Sequence, residues 1–144
     1  MHLREIMKKN VITVTDEESI ANAARKMREA NVGCLVVTNN GRSVEGIITD
    51  RDMTVDCLSQ AHNSEQCQVS RHMASPVISA EPNWDILGAV HLMTEKQIKR
   101  LPVVENGQLI GLVSFSDIAQ ALEPPMRDLL FGMGAARRLE TVPR

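Results

Sequence analysis

Residues 3–41 fall on residues 69–107 at a constant offset of 66, and a duplicated unit leaves few ways to fold 144 residues. The identities are Met7/Met73, Val11/Val77, Ile12/Ile78, Ile20/Ile86, Ala23/Ala89, Met27/Met93, Glu29/Glu95, Leu35/Leu101, Val37/Val103, Asn40/Asn106 and Gly41/Gly107. After Gly41 the offset becomes 65, so GIITDRDM (46–53) falls on GLVSFSDI (111–118) and adds Gly46/Gly111 and Asp52/Asp117. Most of these residues are apolar or turn-forming. The duplication is therefore of a fold unit, about 55 residues long.

Each copy carries the same order of signals. Val11–Val14 and Val77–Ser79 predict short strands. Ile20, Ala23, Ala24 and Met27, like Ile86, Ala89, Val90 and Met93, lie at i, i+3, i+4 and i+7, one face of an amphipathic helix. Ser19 and Asp85 are its expected N-caps. Cys34–Thr38 and Leu101–Val104 are β-rich, and each precedes a turn, Asn39-Asn40-Gly41 or Glu105-Asn106-Gly107. With the strands that end at Gly46–Thr49 and Gly111–Ser114, they predict antiparallel hairpins. A final helix is expected from about Asp50 or Phe115.

The unit reads β-α-β-β-α, and the open face of its small sheet needs a cover that the other copy can supply. The expected class is α+β: two units packed as a pseudo-twofold pair, with small, mostly antiparallel sheets and flanking helices. Such packing leaves two related clefts between the copies, where small ligands usually bind. Along the chain this divides into unit one (1–62), a linker (63–68), unit two (69–122) and a tail (123–144). The tail opens on Glu123-Pro124-Pro125 and fits neither copy. A short amphipathic segment is expected around Met126–Phe131, followed by a basic end.

Composition narrows the function classes. Two Phe, one Trp and no Tyr cannot furnish the stacking platforms that single-stranded nucleic acid needs. A net charge of −2 with both signs interspersed provides no field for DNA or an anionic membrane. No apolar run approaches the ~20 residues of a spanning helix, and MHLREIMKKN lacks the apolar stretch of a secretory signal. Three cysteines do not make a disulfide framework. The expectation is a cytoplasmic chain that engages neither nucleic acid nor membrane.

Two elements carry candidate chemistry, Thr49-Asp50-Arg51-Asp52 and Ser114-Phe115-Ser116-Asp117. A Ser or Thr with an acid three residues on is also a capping box, which satisfies free amides at a helix start. Yet the element occurs twice, each time after a Gly-apolar-apolar strand. Its carboxylate suits the vicinal hydroxyls of a ribose, and the helix start and hydroxyl offer donors to phosphate.

The β-α-β-β-α duplication, the two G-h-h-[S/T]-x-x-D endings and Ile98-Lys99-Arg100-Leu101-Pro102 together resemble a tandem cystathionine-β-synthase (CBS) domain pair, or Bateman module, over about residues 3–122. That resemblance implies an adenosine-containing ligand (AMP, ADP or ATP, or S-adenosylmethionine or NAD) in the clefts between copies. It places Ser114 and Asp117 at one cleft and Thr49 and Asp52 at the other. It also implies an adenine slot beside Ile98–Pro102, with Ile98 and Pro102 among its lining. Arg51, Lys99 and Arg100 are candidate phosphate ligands, the arginines being suited to bidentate contact. Copy one has Val32-Gly33-Cys34-Leu35-Val36 in place of the Pro-containing segment, so the Asp117 cleft is expected to be the better site.

The resemblance further implies a regulatory module, not an enzyme, that needs no cofactor, forms a homodimer and acts on an unidentified regulated protein. A protein-interaction or structural module with degenerate ligand sites is the alternative. Among other residues, Cys57, His62, Cys67 and His72 are spaced five apart, and two thiolates with two imidazoles could hold tetrahedral zinc. Against this, an α-helix continuing through 54–61 would turn positions i and i+5 apart by about 140°. No C-x-x-C pair anchors the set, and copy two has no counterpart. No metal is therefore expected. Cys34 reads as a small buried hydrophobe, and His2 and His91 have no catalytic partner.

Overall fold

The computed structural model describes residues 1–122, so the segment expected over 126–131 and the rest of the tail lie outside the described residues. The elements are α1 (Leu3–Ile6), β1 (Thr13–Val14), α2 (Ile20–Ala30), β2 (Cys34–Asn39), β3 (Ser43–Thr49) and α3 (Asp50–Asp52). α3 runs straight into a π-helical segment (Met53–Leu58), and a 3-10 turn (Val69–Arg71) follows. The second unit has α4 (Ile86–Lys96), β4 (Arg100–Glu105), β5 (Gln108–Ser114) and α5 (Phe115–Leu122).

The expected caps start the long helices: Ser19 Oγ accepts from the Asn22 amide at 3.1 Å and Asp85 Oδ2 from the Leu87 amide at 3.0 Å. The predicted stripes are buried, Ile20, Ala23 and Met27 on α2 and Ile86, Ala89 and Met93 on α4. Both helices end on a left-handed residue, Asn31 and Gln97, each at φ 54°. The next amide then reaches back five residues, Val32 to Met27 O and Ile98 to Met93 O, each at 3.0 Å.

β2 pairs antiparallel with β3 and β4 with β5, and both hairpins carry the same bulge. Val37↔Gly46 is followed by Thr38↔Val44, as Val103↔Gly111 is by Val104↔Leu109. Asn106 (φ 51°) and Gly107 (φ 77°) close a two-residue turn. In the first hairpin Arg42 adds a third residue after Asn40 and Gly41, which is why the repeat offset falls from 66 to 65.

The first strands differ from expectation. β1 is only Thr13–Val14, parallel to β2. Val77–Ser79 is not a strand, and its place is taken by one parallel bridge, Ala80↔Val103. The cause lies across the sheet. In copy one the Val36 amide donates to Ile12 O at 3.3 Å, whereas Pro102 stands at the equivalent position of copy two and has no N–H to give.

The two units exchange their leading segments. Residues before β1 pack on unit two: the Leu3 amide donates to Trp84 O (3.0 Å), Arg4 to Pro82 O (2.9 Å) and Ile86 to Met1 O (3.0 Å), while Lys8 and Leu112 exchange bonds at 3.0 Å. The counterpart segment packs on unit one: Val69 to Glu18 O (2.9 Å), Ser70 to Asp16 O (2.9 Å), Ile20 to Cys67 O (2.8 Å), and Ala74 and Ile47 to each other (2.8 and 3.1 Å). Every bond of one set answers a bond of the other at the repeat offset. Leu3 is accordingly buried in the core of unit two and Val69 in that of unit one. Thus the packing units do not follow the chain divisions at 62 and 69, and neither core is complete without the other's leading segment. β3 and β5 meet where the two sheets approach.

Candidate functional site

The site begins at the end of β5. Ser114 is the last strand residue and α5 starts at Phe115, so Asp117 falls in the first turn. The capping box is fully made: the Ser114 amide donates to Asp117 Oδ2 (2.8 Å), Ser114 Oγ donates to the same oxygen (2.6 Å), and the Asp117 amide donates back to Ser114 Oγ (3.2 Å). This leaves Asp117 Oδ1, which faces the Lys8 ammonium at 3.4 Å. The Asp117 side chain is 11% exposed and Lys8 72%, a capped carboxylate opposed by an exposed cation.

Around them opens a cleft of about 330 Å³ between the units. Ser114, Phe115, Ser116 and Asp117 line one side with Lys99 and Arg100. Asn31–Cys34 of unit one, Lys8 and Asn10–Ile12 of the exchanged segment, and Leu112 contribute the rest. The Phe115 amide is taken by Lys99 O at 3.0 Å, so of the first-turn amides at 115 and 117 neither is free. What the cleft offers an anion is side-chain cations, Lys8, Lys99 and half-buried Arg100. Burial pushes the Cys34 thiol at its wall up to about 11, and Arg100 only partly opposes this. Cys34 is therefore an inert apolar residue, as its sequence context implied.

The other predicted residues are placed as follows. Thr49 and Asp52 form the matching box, the Thr49 amide donating to Asp52 Oδ2 (2.9 Å) and the Asp52 amide to Thr49 Oγ1 (3.2 Å). Arg51 is exposed beside them. Ile98 borders a separate apolar groove of about 350 Å³ between α4 and α5, which Lys99 shares. Pro102 is fully buried in β4 and lines neither cavity. Lys8, Asn10 and Ile12 were missed, because nothing local in the sequence announces that their segment crosses to the other unit.

The structure brings Cys57, His62, Cys67 and His72 together, with one ligand-type atom from each lying within 4.8 Å of the others. The expected divergence along an α-helix does not occur. Residues 53–58 are π-helical and the helix then closes on left-handed Ala61 (φ 53°), so the Ala61 amide donates to Leu58 O (3.0 Å) and the His62 amide to Cys57 O (3.1 Å). That 6→1 closure lays His62 over Cys57 instead of carrying it around the helix. Burial, reinforced by the adjacent Cys67, holds the Cys57 thiol above its ordinary value.

Among the described residues no helix is long and apolar enough to cross a membrane. A family model for the CBS domain matches residues 3–55 and 69–124. An uncharacterized protein of Methanopyrus kandleri is 40% identical over 121 residues, 83% of this chain and 61% of its own, so the chain spans about three-fifths of that relative. The CBS domain-containing protein YhcV of Bacillus subtilis is 34% identical over 117 residues, 81% of this chain and 82% of its own. The crystal structure of Hypoxic Response Protein I, solved with two coordinated zinc ions, superimposes with a TM-score of 0.78 at 28% identity, over 85% of this chain and all of that one. Two matched domains, reciprocally packed around a lined cleft, settle the kinship: this chain belongs to the CBS-domain family, as a tandem pair.

Proposed function

We propose that this chain is a regulatory ligand-binding module that senses an adenosine-containing nucleotide in the Asp117 cleft, and that it is not an enzyme. One observation carries the reading: a carboxylate with one oxygen locked into the helix cap and the other turned to a cleft that three cations border. Asp117 Oδ1 can accept from both hydroxyls of a ribose. Lys8, being largely exposed, can swing from Asp117 to a phosphate, joined by Lys99 and Arg100. The cleft volume lies within the usual range for small-molecule sites.

A CBS pair can carry a metal as well: Hypoxic Response Protein I was solved with zinc, and a metal elsewhere is compatible with a nucleotide here. We place the module in the cytoplasm, where its regulated protein would be met. Exposed Leu58, Leu87 and Phe115, with the apolar groove between α4 and α5, support burial against a second copy, hence a homodimer.

The test is calorimetric titration with AMP, ADP, ATP, S-adenosylmethionine and NAD. Binding of at least one ligand at one equivalent per chain is expected. Asp117→Ala should abolish it. Because Asp117 also caps α5, Lys8→Ala serves as the milder variant and should weaken phosphate-bearing ligands about tenfold. No heat from any of the five, or unchanged binding in both variants, overturns the proposal. It would favour an interaction module with degenerate sites, for which the complete use of Asp117 Oδ2 in the cap speaks.

A further inference from the structure

We propose that Cys57, His62, Cys67 and His72 form a closed, structural zinc site that fastens the segment between the two repeats to unit one. Two sulfurs and two imidazole nitrogens are the donor set that tetrahedral zinc favours over the harder divalent ions. With Zn–S near ~2.3 Å and Zn–N near ~2.0–2.1 Å, tetrahedral angles put neighbouring ligand atoms roughly 3.3–3.8 Å apart. In the structure Cys67 Sγ is 3.9 Å from His62 Nδ1 and 2.8 Å from His72 Nε2, and the widest separation in the set is within 4.8 Å. The separations differ from those of a coordination shell by about 1 Å or less.

The backbone already holds each ligand in place. Cys57 and His62 are joined by the 6→1 bond that ends the helix. The Cys67 amide donates to Asn63 O (2.9 Å) and its carbonyl accepts the first amide of α2, from Ile20 (2.8 Å). The His72 amide is held by Val69 O at 3.0 Å, and the Val69 amide in turn by Glu18 O at 2.9 Å. The π-helix, the turn at 61–62, the loop at 63–67 and the 3-10 turn thus converge on one point.

Burial gives the site its class. Cys57, Cys67 and His72 are 2%, 7% and 9% exposed, and exposed His62 closes the solvent side. Four protein ligands leave no position for water or substrate, so the metal would be structural and not catalytic. On binding, the two thiols release their protons to solvent and the imidazoles coordinate as neutral rings. None of the four residues lines the Asp117 cleft, so the site stands or falls independently of nucleotide binding.

The full chain, made metal-free with a chelator under a non-thiol reductant, is titrated anaerobically with Co²⁺ and then Zn²⁺. One Co²⁺ per chain is expected, with thiolate-to-cobalt charge transfer and tetrahedral d–d absorption, both erased by one equivalent of Zn²⁺. Zn²⁺ should also raise the thermal midpoint of the apo chain. Cys67→Ser should lose the charge-transfer band. Since that buried substitution can fail to fold, His62→Ala, at an exposed position, is the decisive variant: it should keep the fold, weaken cobalt at least tenfold and alter the tetrahedral spectrum. Cys34→Ser, outside the cluster, should behave as the parent. Absence of charge transfer in the folded parent, or a spectrum and affinity unchanged by His62→Ala, would overturn the site and leave a hydrogen-bonded Cys–His cluster that takes no metal.

Discussion

Replacing Gly111 with Ala tests whether the exchanged leading segment is a structural member or a loose strap. A Cβ at Gly111 would lie 2.5 Å from Met7 Sδ, 2.9 Å from its Cγ and 3.1 Å from its Cβ. Contact, not a left-handed backbone, is what demands glycine here. Because the crowding extends to the root of Met7, swinging the end of the side chain relieves only part of it and the segment itself must retreat. Overpacking of this kind costs about 1–3 kcal/mol. The smaller unfolded-state entropy of Ala returns about 0.4–1 kcal/mol. A net loss of about 1–2 kcal/mol is expected. Urea unfolding followed by far-UV circular dichroism should show a lower midpoint at unchanged slope. Trp84, the sole tryptophan, accepts the Leu3 amide, so its fluorescence reports on segment docking in the same titration. Met7→Ala makes room for the new methyl. The double variant should therefore be at least ~1 kcal/mol more stable than the sum of the single losses predicts. Since Lys8 follows Met7 and faces Asp117, Gly111→Ala should also weaken nucleotide binding. A neutral Gly111→Ala, or strict additivity with Met7→Ala, refutes the interlock.

The symmetric position should respond differently. A Cβ at Gly46 meets Met73 Sδ at 2.7 Å but also the Ala74 carbonyl at 3.0 Å, which is pinned by the Ile47 amide, so Met73→Ala should rescue Gly46→Ala less completely in the same assay. For Glu18, burial alone would raise the carboxyl, but the Thr15 amide (2.7 Å) and Lys26 (2.9 Å) outweigh it and hold it below the usual 4.5. A group depressed on folding contributes above its unfolded value and loses that contribution as pH falls through its folded one. Glu18→Gln should thus cost about 1 kcal/mol at neutral pH, with the gap from the parent closing below pH 4.5 in pH-stepped urea titrations. Light scattering should give about twice 15.9 kDa, and a purely monomeric chain would contradict the homodimer.

What the sequence disclosed was local. The hairpins were legible because Asn-Gly supplies the left-handed pair a tight turn needs, and α2 and α4 because their apolar spacing matches the burial of Ile20, Ala23 and Met27 and their counterparts. The strand expected at Val77–Ser79 failed for a reason also written in the sequence: Pro102 cannot donate to an edge partner. The convergence of the quartet was not legible because the spacing was measured on an ideal α-helix. The left-handed residue that ends the helix is Ala61, with no glycine to mark the turn. Lys8 was illegible altogether, since its place beside Asp117 follows from an exchange held by backbone bonds that any sequence could make.

That exchange also bears on whether the two proposed sites would be equal. The repeat offset supplies a carboxylate in each copy, Asp52 and Asp117, and each is held by the same cap. Around Asp117 the cations break the residue-by-residue repeat. Lys8 answers to Ala74, Lys99 to Gly33 and Arg100 to Cys34. Each substitution removes a positive charge from the counterpart position. Gly33 and Cys34, which line the same cleft, answer in turn to Lys99 and Arg100, and Ser116 answers to exposed Arg51, so Lys8 is the cation with no return. A ribose could be met by either carboxylate, whereas the lysine that faces the carboxylate, Lys8 beside Asp117, is replaced by Ala74 in the other copy. A ligand whose affinity rises with phosphate number should therefore saturate at one per chain. An adenosyl ligand bound equally at two sites would show that the carboxylate caps, and not the cations, set recognition.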